Sequence, residues 1–465
     1  MIIRRFVFWS RRGSAFGAFQ RFILNDVPSN SAQFAHLDSV DAERWPSLVY
    51  IPSAAGMRIR ARMAEAKFAK HCAQAGLELS PDGEHDLVVD HAQLFDRIAL
   101  KGWVGFAEGY MAGEWRTDTS SDLVKVLKGL LASGYSPKTP HMKQDPKLVS
   151  GEIPPELVAR YGGDGMSAFA GHFSTGVPTT ERMSRKSFVP AAGRGKEPSN
   201  YFVATTHFAA PLETMKHDLG DAQARSVSML LDEAGVRAGT QVAEIPCSGG
   251  AVAIAAASRR ATVDAVVTDS AVLRTLRERL TLAGVADSVH ISVTEDPSQT
   301  LMRRVGRYDA IVCAEHFETL PQLERRTRLQ LMDKLLAKNG RAVIQSVTAT
   351  EKLSGPARDA MESLRAYIWP SLEYSDSDEL RRIADKYTGL RVVGETHAPD
   401  HLALSLKHQL TTFQGQLREA AADGFDAVYR RLWMWQLALR QAMAELGMLD
   451  VVQYTLTHRH RWGVR

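Results

Sequence analysis

The stretch Gln241-Val-Ala-Glu-Ile-Pro-Cys-Ser-Gly-Gly-Ala-Val-Ala-Ile-Ala-Ala-Ala257 leaves a chain few folds to choose from. An apolar run ends on an acid, turns through small residues and continues as an alanine-rich helix. That order is the first strand–turn–helix unit of a doubly wound α/β sheet, and it suits a nucleotide-like ligand. The Glu244 carboxylate can reach a polar group of such a ligand. Ser248, Gly249 and Gly250 let the backbone approach it, and the new helix offers amides that lack intrahelical partners. The same turn also occurs in sheets that bind nothing there, so its meaning depends on the segments downstream.

Those segments alternate. Strands are expected at Ala265–Thr268, His290–Val293, Asp309–Ala314 and Arg341–Val347, with helices at Leu273–Ala283 and Gln322–Leu336. A helix with Val227, Leu230 and Leu231 inward precedes them over Asp221–Gly235. Strand–helix alternation at this spacing implies a parallel sheet covered on both faces. Residues 351–388 read as a helical insertion and 411–447 as further helix. Val451-Val-Gln-Tyr-Thr-Leu-Thr457 closes the chain as strand.

The chain has 465 residues, about three domain lengths. Residues 1–35 form a basic and aromatic tail, readable as an interfacial anchor or simply as a loose terminus. Residues 36–135 read as a small N-terminal domain, with Met57–Ala73 helical and Met63, Ala66 and Ala69 inward. Leu87–Asp90 reads as a short strand, and Leu123–Leu131 as a helix capped by Ser120 or Ser121. Residues 136–199, rich in Pro, Gly, Ser, Thr and Lys, read as a linker or a cover over a site. Residues 200–465 form the third unit.

The net charge is only +4 and the basic residues are dispersed, which argues against nucleic acid as a partner. Cys72, Cys247 and Cys313 are widely spaced, so free thiols in a reducing cytoplasm are expected and a structural zinc is not. No run reaches the roughly twenty apolar residues of a membrane span.

The order of motifs resembles the S-adenosylmethionine-dependent cyclopropane fatty acid synthases and related fatty-acyl methyltransferases, most closely their longer actinobacterial branch. Gly102–Trp115 matches G-x-x-G-x-x-E-x-Y-M-x-G-x-W, and Asp309–Glu318 resembles D-x-I-V-S-V-E-M-F-E. Gly340–Val347 resembles G-R-A-V-I-Q-x-I, Tyr367–Pro370 resembles Y-I-F-P, and Leu449–Tyr454 resembles the family's closing strand.

The resemblance implies a Rossmann-like class I methyltransferase domain with a helical lid, beside a small N-terminal domain. It implies methyl transfer from S-adenosylmethionine to a cis double bond of a phospholipid acyl chain, ending in a cyclopropane or a methyl- or methylene-branched chain. Bicarbonate is implied as the proton acceptor. A homodimer working peripherally at the cytoplasmic face of a membrane is implied as well. An alkene is a weak nucleophile, so such a site must align it with the methyl group and exclude water.

The residues that the resemblance places at the site depart from the family in part. Glu318 stands at the bicarbonate-site glutamate, Gln345 where members carry His or Gln, and His401 near the family's tyrosine. No cysteine lies between Cys72 and Cys247, and Thr206 is the substitute for the family's cysteine. The cofactor turn E-I-G-C-G-W-G becomes Glu244-Ile-Pro-Cys-Ser-Gly-Gly250, where Pro246 lacks an N–H and Ser248 replaces a glycine. Asp269 is a candidate for the ribose hydroxyls or a helix cap. Glu295 and Asp296 are candidates for the adenine amino group or simply solvated acids. Two functions therefore stand: an active fatty-acyl methyltransferase, or a degenerate paralogue that binds lipid or a partner.

Overall fold

The computed structural model describes residues 32–51, 56–79, 85–141, 169–194, 197–212, 214–215, 217–247, 249–268, 270–294, 297 and 301–459. The apolar runs of the third unit become the strands β5 (Gln241–Glu244), β6 (Thr262–Val267), β7 (Val289–Val293), β8 (Tyr308–Ala314) and β9 (Leu336–Ala349). They pair in parallel, and β5, β6 and β8 are buried along almost their whole length, as strands covered on both faces must be. Strands β10 (Leu390–His397) and β11 (Leu449–His458) extend the sheet, β11 running antiparallel between β9 and β10. Strands β1 (Val88–Val89) and β2 (Trp115–Arg116) pair as a separate two-stranded sheet; with β3 (Thr179–Lys186) and β4 (Asn200–His207), the order across the main sheet is β3-β4-β10-β11-β9-β8-β5-β6-β7. The central part is the class I methyltransferase arrangement, with its reversed strand β11 set between β9 and β10. The chain winds outward from β5 to β7 and restarts at β8, so β5 and β8 border the crevice at the topological switch.

Strand β3 lies inside the expected linker. Its sequence, Thr-Thr-Glu-Arg-Met-Ser-Arg-Lys, carries no apolar alternation because it is an edge strand with both faces largely in solvent. Strand β10 lies outside the expected elements as well. The expected insertion divides, since Gly355–Tyr367 joins a layer of helices while Ser377–Tyr387 packs along β10.

That layer gathers α1 (Met57–Gln74), α2 (Gln93–Lys101), α3 (Trp103–Ala112) and α4 (Ser120–Ala132). It also takes in the later helices Gly355–Tyr367, Pro399–Gly415 and Ala427–Glu445. All of them share one apolar core, which meets the sheet at Val347, Leu449 and Val451. The N-terminal helices therefore do not close over a core of their own. Four tryptophans, Trp45, Trp103, Trp115 and Trp435, are fully buried in it. Each indole N–H finds an acceptor: Asp426 Oδ2, Tyr135 O, Phe106 O and Ser363 Oγ respectively.

The glycine-rich run Gly102–Trp115 is the close crossing of α2 and α3. A Cβ on Gly105 would fall 2.2 Å from the Arg97 carbonyl oxygen, and one on Gly109 would fall 2.5 Å from Leu94. Buried Arg97 holds this crossing together. Its Nε donates to Glu114 at 2.8 Å, its Nη2 donates to the Leu48 carbonyl at 2.6 Å, and Glu108 lies 3.5 Å from Nη1. Tyr367 donates to the same Glu108 at 2.7 Å, tying helix Gly355–Tyr367 to α3.

Two local readings change. Helix α4 is capped by Thr119 in a reciprocal capping box with Asp122, not by Ser120 or Ser121. On α1 the inward residues are Phe68 and Cys72, one turn apart, and Met63 faces solvent. The three cysteines are free and buried.

Candidate active site

Two structures meet at the carboxyl ends of β5 and β8. The first is the turn after β5. Glu244 ends that strand and is buried. Ile245 N donates to Val312 O on β8, and Cys247 N donates to Val266 O on β6. The backbone thus stays stitched to both neighbouring strands, across an Ile245–Pro246 peptide bond that is cis. Gly250 takes φ +80°, and a Cβ there would lie 2.5 Å from Leu276. A larger residue would meet both strain and collision. Helix Ala251–Ser258 begins at this point, and Arg279 donates to the Gly249 carbonyl. Pro246 has no N–H, and the amides of 245 and 247 are spent on the sheet. The turn therefore offers a ligand the buried acid at its start and the first-turn amides of the helix. Ser248, Asp269, Glu295 and Asp296 lie outside the described residues.

The second structure is a cluster of buried charge after β8. Glu315 sits at φ +41°, outside the range ordinary for a side-chain-bearing residue, and its N–H donates to the Gln345 carbonyl at 2.7 Å. Its Oε1 accepts from Ala170 N at 2.6 Å and from Gln345 Nε2 at 2.8 Å, while Oε2 lies 4.0 Å from Arg440 Nη2. Three residues on, Glu318 accepts from Ser346 Oγ at 2.8 Å and from Val347 N at 3.3 Å. Arg440 reaches down from helix Ala427–Glu445 and stacks its guanidinium over Trp369.

Burial, and then the charge of Glu318, push the Glu315 pKa up to about 7. Burial also raises Glu318, although Ser346, Val347 and Arg440 pull the other way. Burial works against the Arg440 charge, but Tyr374, Glu315 and Glu318 outweigh it and keep Arg440 strongly basic. One arginine thus faces two carboxyls that together hold a proton near neutral pH.

This has a measurable consequence for stability. The folded chain keeps the Glu315 proton to about pH 7, whereas an unfolded glutamate releases it near pH ~4.3. The folded state binds more protons between those values, so stability falls as pH rises through that window. The expected result is that unfolding temperature drops from about pH 4.5 to 7 more steeply in the wild type than in Glu315→Gln.

A strap at 169–175 crosses over the cluster. Ala170 and Gly171 donate to Glu315 and Ser405 Oγ, His172 N donates to Ala222 O, and Gln223 donates to the Phe169 carbonyl. Burial pushes the His172 pKa down to about 3, so its ring is neutral.

Of the residues that the sequence pointed to, the structure brings Glu318 and Gln345 together at this cluster. Gln345 bridges Glu315 to Ser226 and Gln453, whose side chains both donate to its Oε1 at 2.8 Å. His401 does not join them. Its Nδ1 accepts from Phe173 N at 2.9 Å and its Nε2 donates to Ala209 O at 3.1 Å, so it is a neutral pin for the strap with neither nitrogen free. Thr206 does not join them either. It lies in the same row of the sheet as Gln345, but through Gln453 and Thr396, three strand spacings or about 14 Å away. Its hydroxyl meets Thr180 at 2.9 Å.

Sequence reasoning missed Glu315, Tyr374 and Arg440. The signals for Glu315 and Arg440 are an acid at the strand end in Glu315-His-Phe-Glu318, and a lone arginine within the apolar helix run Trp435-Gln-Leu-Ala-Leu-Arg-Gln-Ala-Met443; Tyr374 carries none.

Comparison with known proteins finds similarity along most of the chain. The curated tuberculostearic acid methyltransferase UfaA1 of Mycobacterium tuberculosis is 27% identical over 448 residues, covering 90% of this chain and 96% of that protein. Among solved structures, the cyclopropane synthase MmaA2 from Mycobacterium tuberculosis aligns with a TM-score of 0.47 and 18% identity, covering 53% of this chain and 88% of that one. Coclaurine N-methyltransferase aligns at 0.48 and 11% identity, covering 92% and 100%. The profile described as mycolic acid cyclopropane synthetase matches residues 204–454, a segment that runs from β4 into β11 and holds both the β5 turn and the acid cluster. That is more than half of the chain, which therefore belongs to the mycolic acid cyclopropane synthetase family.

Proposed function

We propose that the protein transfers a methyl group from S-adenosylmethionine to the double bond of an unsaturated phospholipid acyl chain, giving a cyclopropane or a methyl- or methylene-branched chain. Methyl transfer dependent on S-adenosylmethionine, in the fatty-acid-modifying group, follows from family membership. The acceptor and the product are our reading. The observation that carries it is the buried carboxyl pair Glu315 and Glu318 at the carboxyl end of β8, beneath the helical layer.

The cofactor residues fit in two respects: Glu244 is a buried acid at the β5 end, and the helix from Ala251 presents its first-turn amides. When bound, the cofactor supplies an electrophilic methyl group. Methylation of an alkene leaves positive charge on carbon, which buried carboxylates stabilise and water destroys. The strap and the helical layer keep solvent away from Glu315 and Glu318.

Bicarbonate, the implied proton acceptor, does not fit these residues. The donors that would hold it, Ala170 N and the Gln345 amide, are already engaged by the Glu315 carboxylate, with Arg440 facing its other oxygen. A further anion would also sit against two acidic groups.

Contact with a membrane would run through α1. Arg58, Ile59, Arg60, Arg62, Met63, Lys67 and Lys70 are all exposed on it, with Ile59 and Met63 each 68% exposed one turn apart. Cationic side chains around an apolar pair suit an anionic lipid surface. Among the described residues no helix is long and apolar enough to cross a membrane. The expected result is that Ile59→Glu/Met63→Glu weakens sedimentation with anionic vesicles at least about tenfold, while neutral vesicles bind neither form. A homodimer is part of the same proposal and is read from sedimentation velocity.

The deciding experiment is calorimetric titration with S-adenosylmethionine and S-adenosylhomocysteine, followed by mass spectrometry of phospholipids incubated with protein and cofactor. Micromolar binding and a gain of one CH2 per acyl chain support the reading. No binding at millimolar cofactor means that Pro246 and its loop have closed the cofactor site. The protein would then be a lipid- or partner-binding relative without methyl transfer.

A further inference from the structure

We infer that the Glu315 carboxylate is itself the proton acceptor of the reaction, a group built into the chain where the family resemblance calls for bound bicarbonate. The inference rests on the proposed methyl transfer and deepens it. A carboxylate and a bicarbonate share the planar O–C–O acceptor that a pair of neutral donors and an arginine recognise. Here that acceptor is covalently attached. Oε1 takes both neutral donors, Ala170 N and Gln345 Nε2, and this fixes the plane of the group. Oε2 accepts no hydrogen bond among the described residues and lies 4.0 Å from Arg440 Nη2, so its lone pairs remain available. The left-handed backbone at Glu315 turns the side chain back over the strand end, and a glycine would adopt that backbone more easily.

The charged and titratable groups around it are Glu318 on the following turn, Arg440 from the helix above and Tyr374 from the loop after helix Gly355–Tyr367. A proton affinity matched to neutral pH is what a general base needs, and burial, with the neighbouring Glu318 charge, raises Glu315 into that range.

The step balances. The methyl carbon leaves sulfur, whose bonding pair stays behind on a neutral thioether. The alkene pair forms the new carbon–carbon bond, and the adjacent carbon becomes cationic. A C–H bond of the added methyl then breaks, its proton goes to Glu315 Oε2, and its electron pair closes the cyclopropane. For a methylene branch, a hydride first shifts from the methyl-bearing carbon to the cationic carbon; a C–H bond of the methyl then gives its proton to Glu315 Oε2 and its electron pair to the new C=CH2 bond. The resulting carboxylic acid returns its proton to water after product leaves.

The test compares wild type, Glu315→Gly and Glu315→Gln in carbonate-free buffer and with added bicarbonate or formate. Wild-type turnover is expected to be indifferent to bicarbonate. Both variants are expected to lose at least about a hundredfold in turnover while binding S-adenosylmethionine normally. Only Glu315→Gly, which vacates the site and frees its donors, is expected to recover with added anion, because glutamine still fills the space. Two readouts do not need turnover. Carbon-13 bicarbonate NMR should show binding to Glu315→Gly and none to wild type, and infrared spectroscopy should show a carboxyl band titrating near neutrality that Glu315→Gln lacks. Wild-type turnover that collapses without bicarbonate, or bicarbonate bound to the wild type, overturns the inference. If no lipid is methylated by wild type under any condition, the proposed function fails. Glu315 is then judged by the two spectroscopic readouts alone, and a wild type that binds bicarbonate or lacks the band removes it.

Discussion

Replacing Glu318 with glutamine should yield a folded protein whose turnover is lower by about a hundred- to a thousandfold, the usual scale for removing one preorganised electrostatic group. Glu318 accepts from Ser346 Oγ and Val347 N. A glutamine keeps an oxygen for the backbone amide, and the serine hydroxyl can turn to accept from the new NH2, so no buried donor is stranded. The negative charge is lost, and with it the field that stabilises a carbocation and raises the proton affinity of Glu315. Unfolding temperature at neutral pH should not fall, because burial already disfavours the ionised form. Steady-state lipid methylation measured beside thermal unfolding checks both halves. Wild-type turnover in Glu318→Gln would remove this residue from the mechanism.

The second large effect is on the fold itself. Arg97→Met should destabilise the protein by about 3–5 kcal/mol, because it strands buried carboxylates that the arginine now pairs. Among the described residues, Glu114 would keep only His36 at 3.5 Å, and Glu108 only Lys101 and the Tyr367 hydroxyl. Lys128→Ala makes a useful contrast. It breaks a 2.8 Å pair with Glu445 that is partly exposed on both sides, and a change within about 1 kcal/mol is expected. Urea unfolding of both variants reads the difference. Equal effects would mean that the Arg97 network contributes no more than a surface pair.

Legibility in the sequence followed burial. The buried parallel strands announce themselves as apolar runs, and the turn after β5 follows from its small residues. Strand β3 does not, because an edge strand with solvent on both faces has no pattern to display. At the site, Glu318 and Gln345 were legible through motif order. The same order points to His401 and Thr206, which stand elsewhere, since order along the chain does not say which strand lies next to which. Arg440 and Tyr374 reach the acid pair from distant segments, and only the packing of a helix onto the sheet brings them there. Glu315 was visible as a letter, but its role depends on a backbone angle that letters do not carry.

The helical layer has one more consequence, and it concerns synthesis. Trp45 closes on Asp426, Lys128 on Glu445, and Phe106 on Trp435 at a ring separation of 5.6 Å. The first two of these partners lie 381 and 317 residues further along the chain, so the earlier helices must wait during synthesis with their aromatic faces uncovered. Such high contact order slows folding and lengthens exposure to aggregation. A nascent chain halted after β9 should therefore be held by chaperones, and a protein shortened before Ala427 should be insoluble even though its sheet residues through β10 are all present.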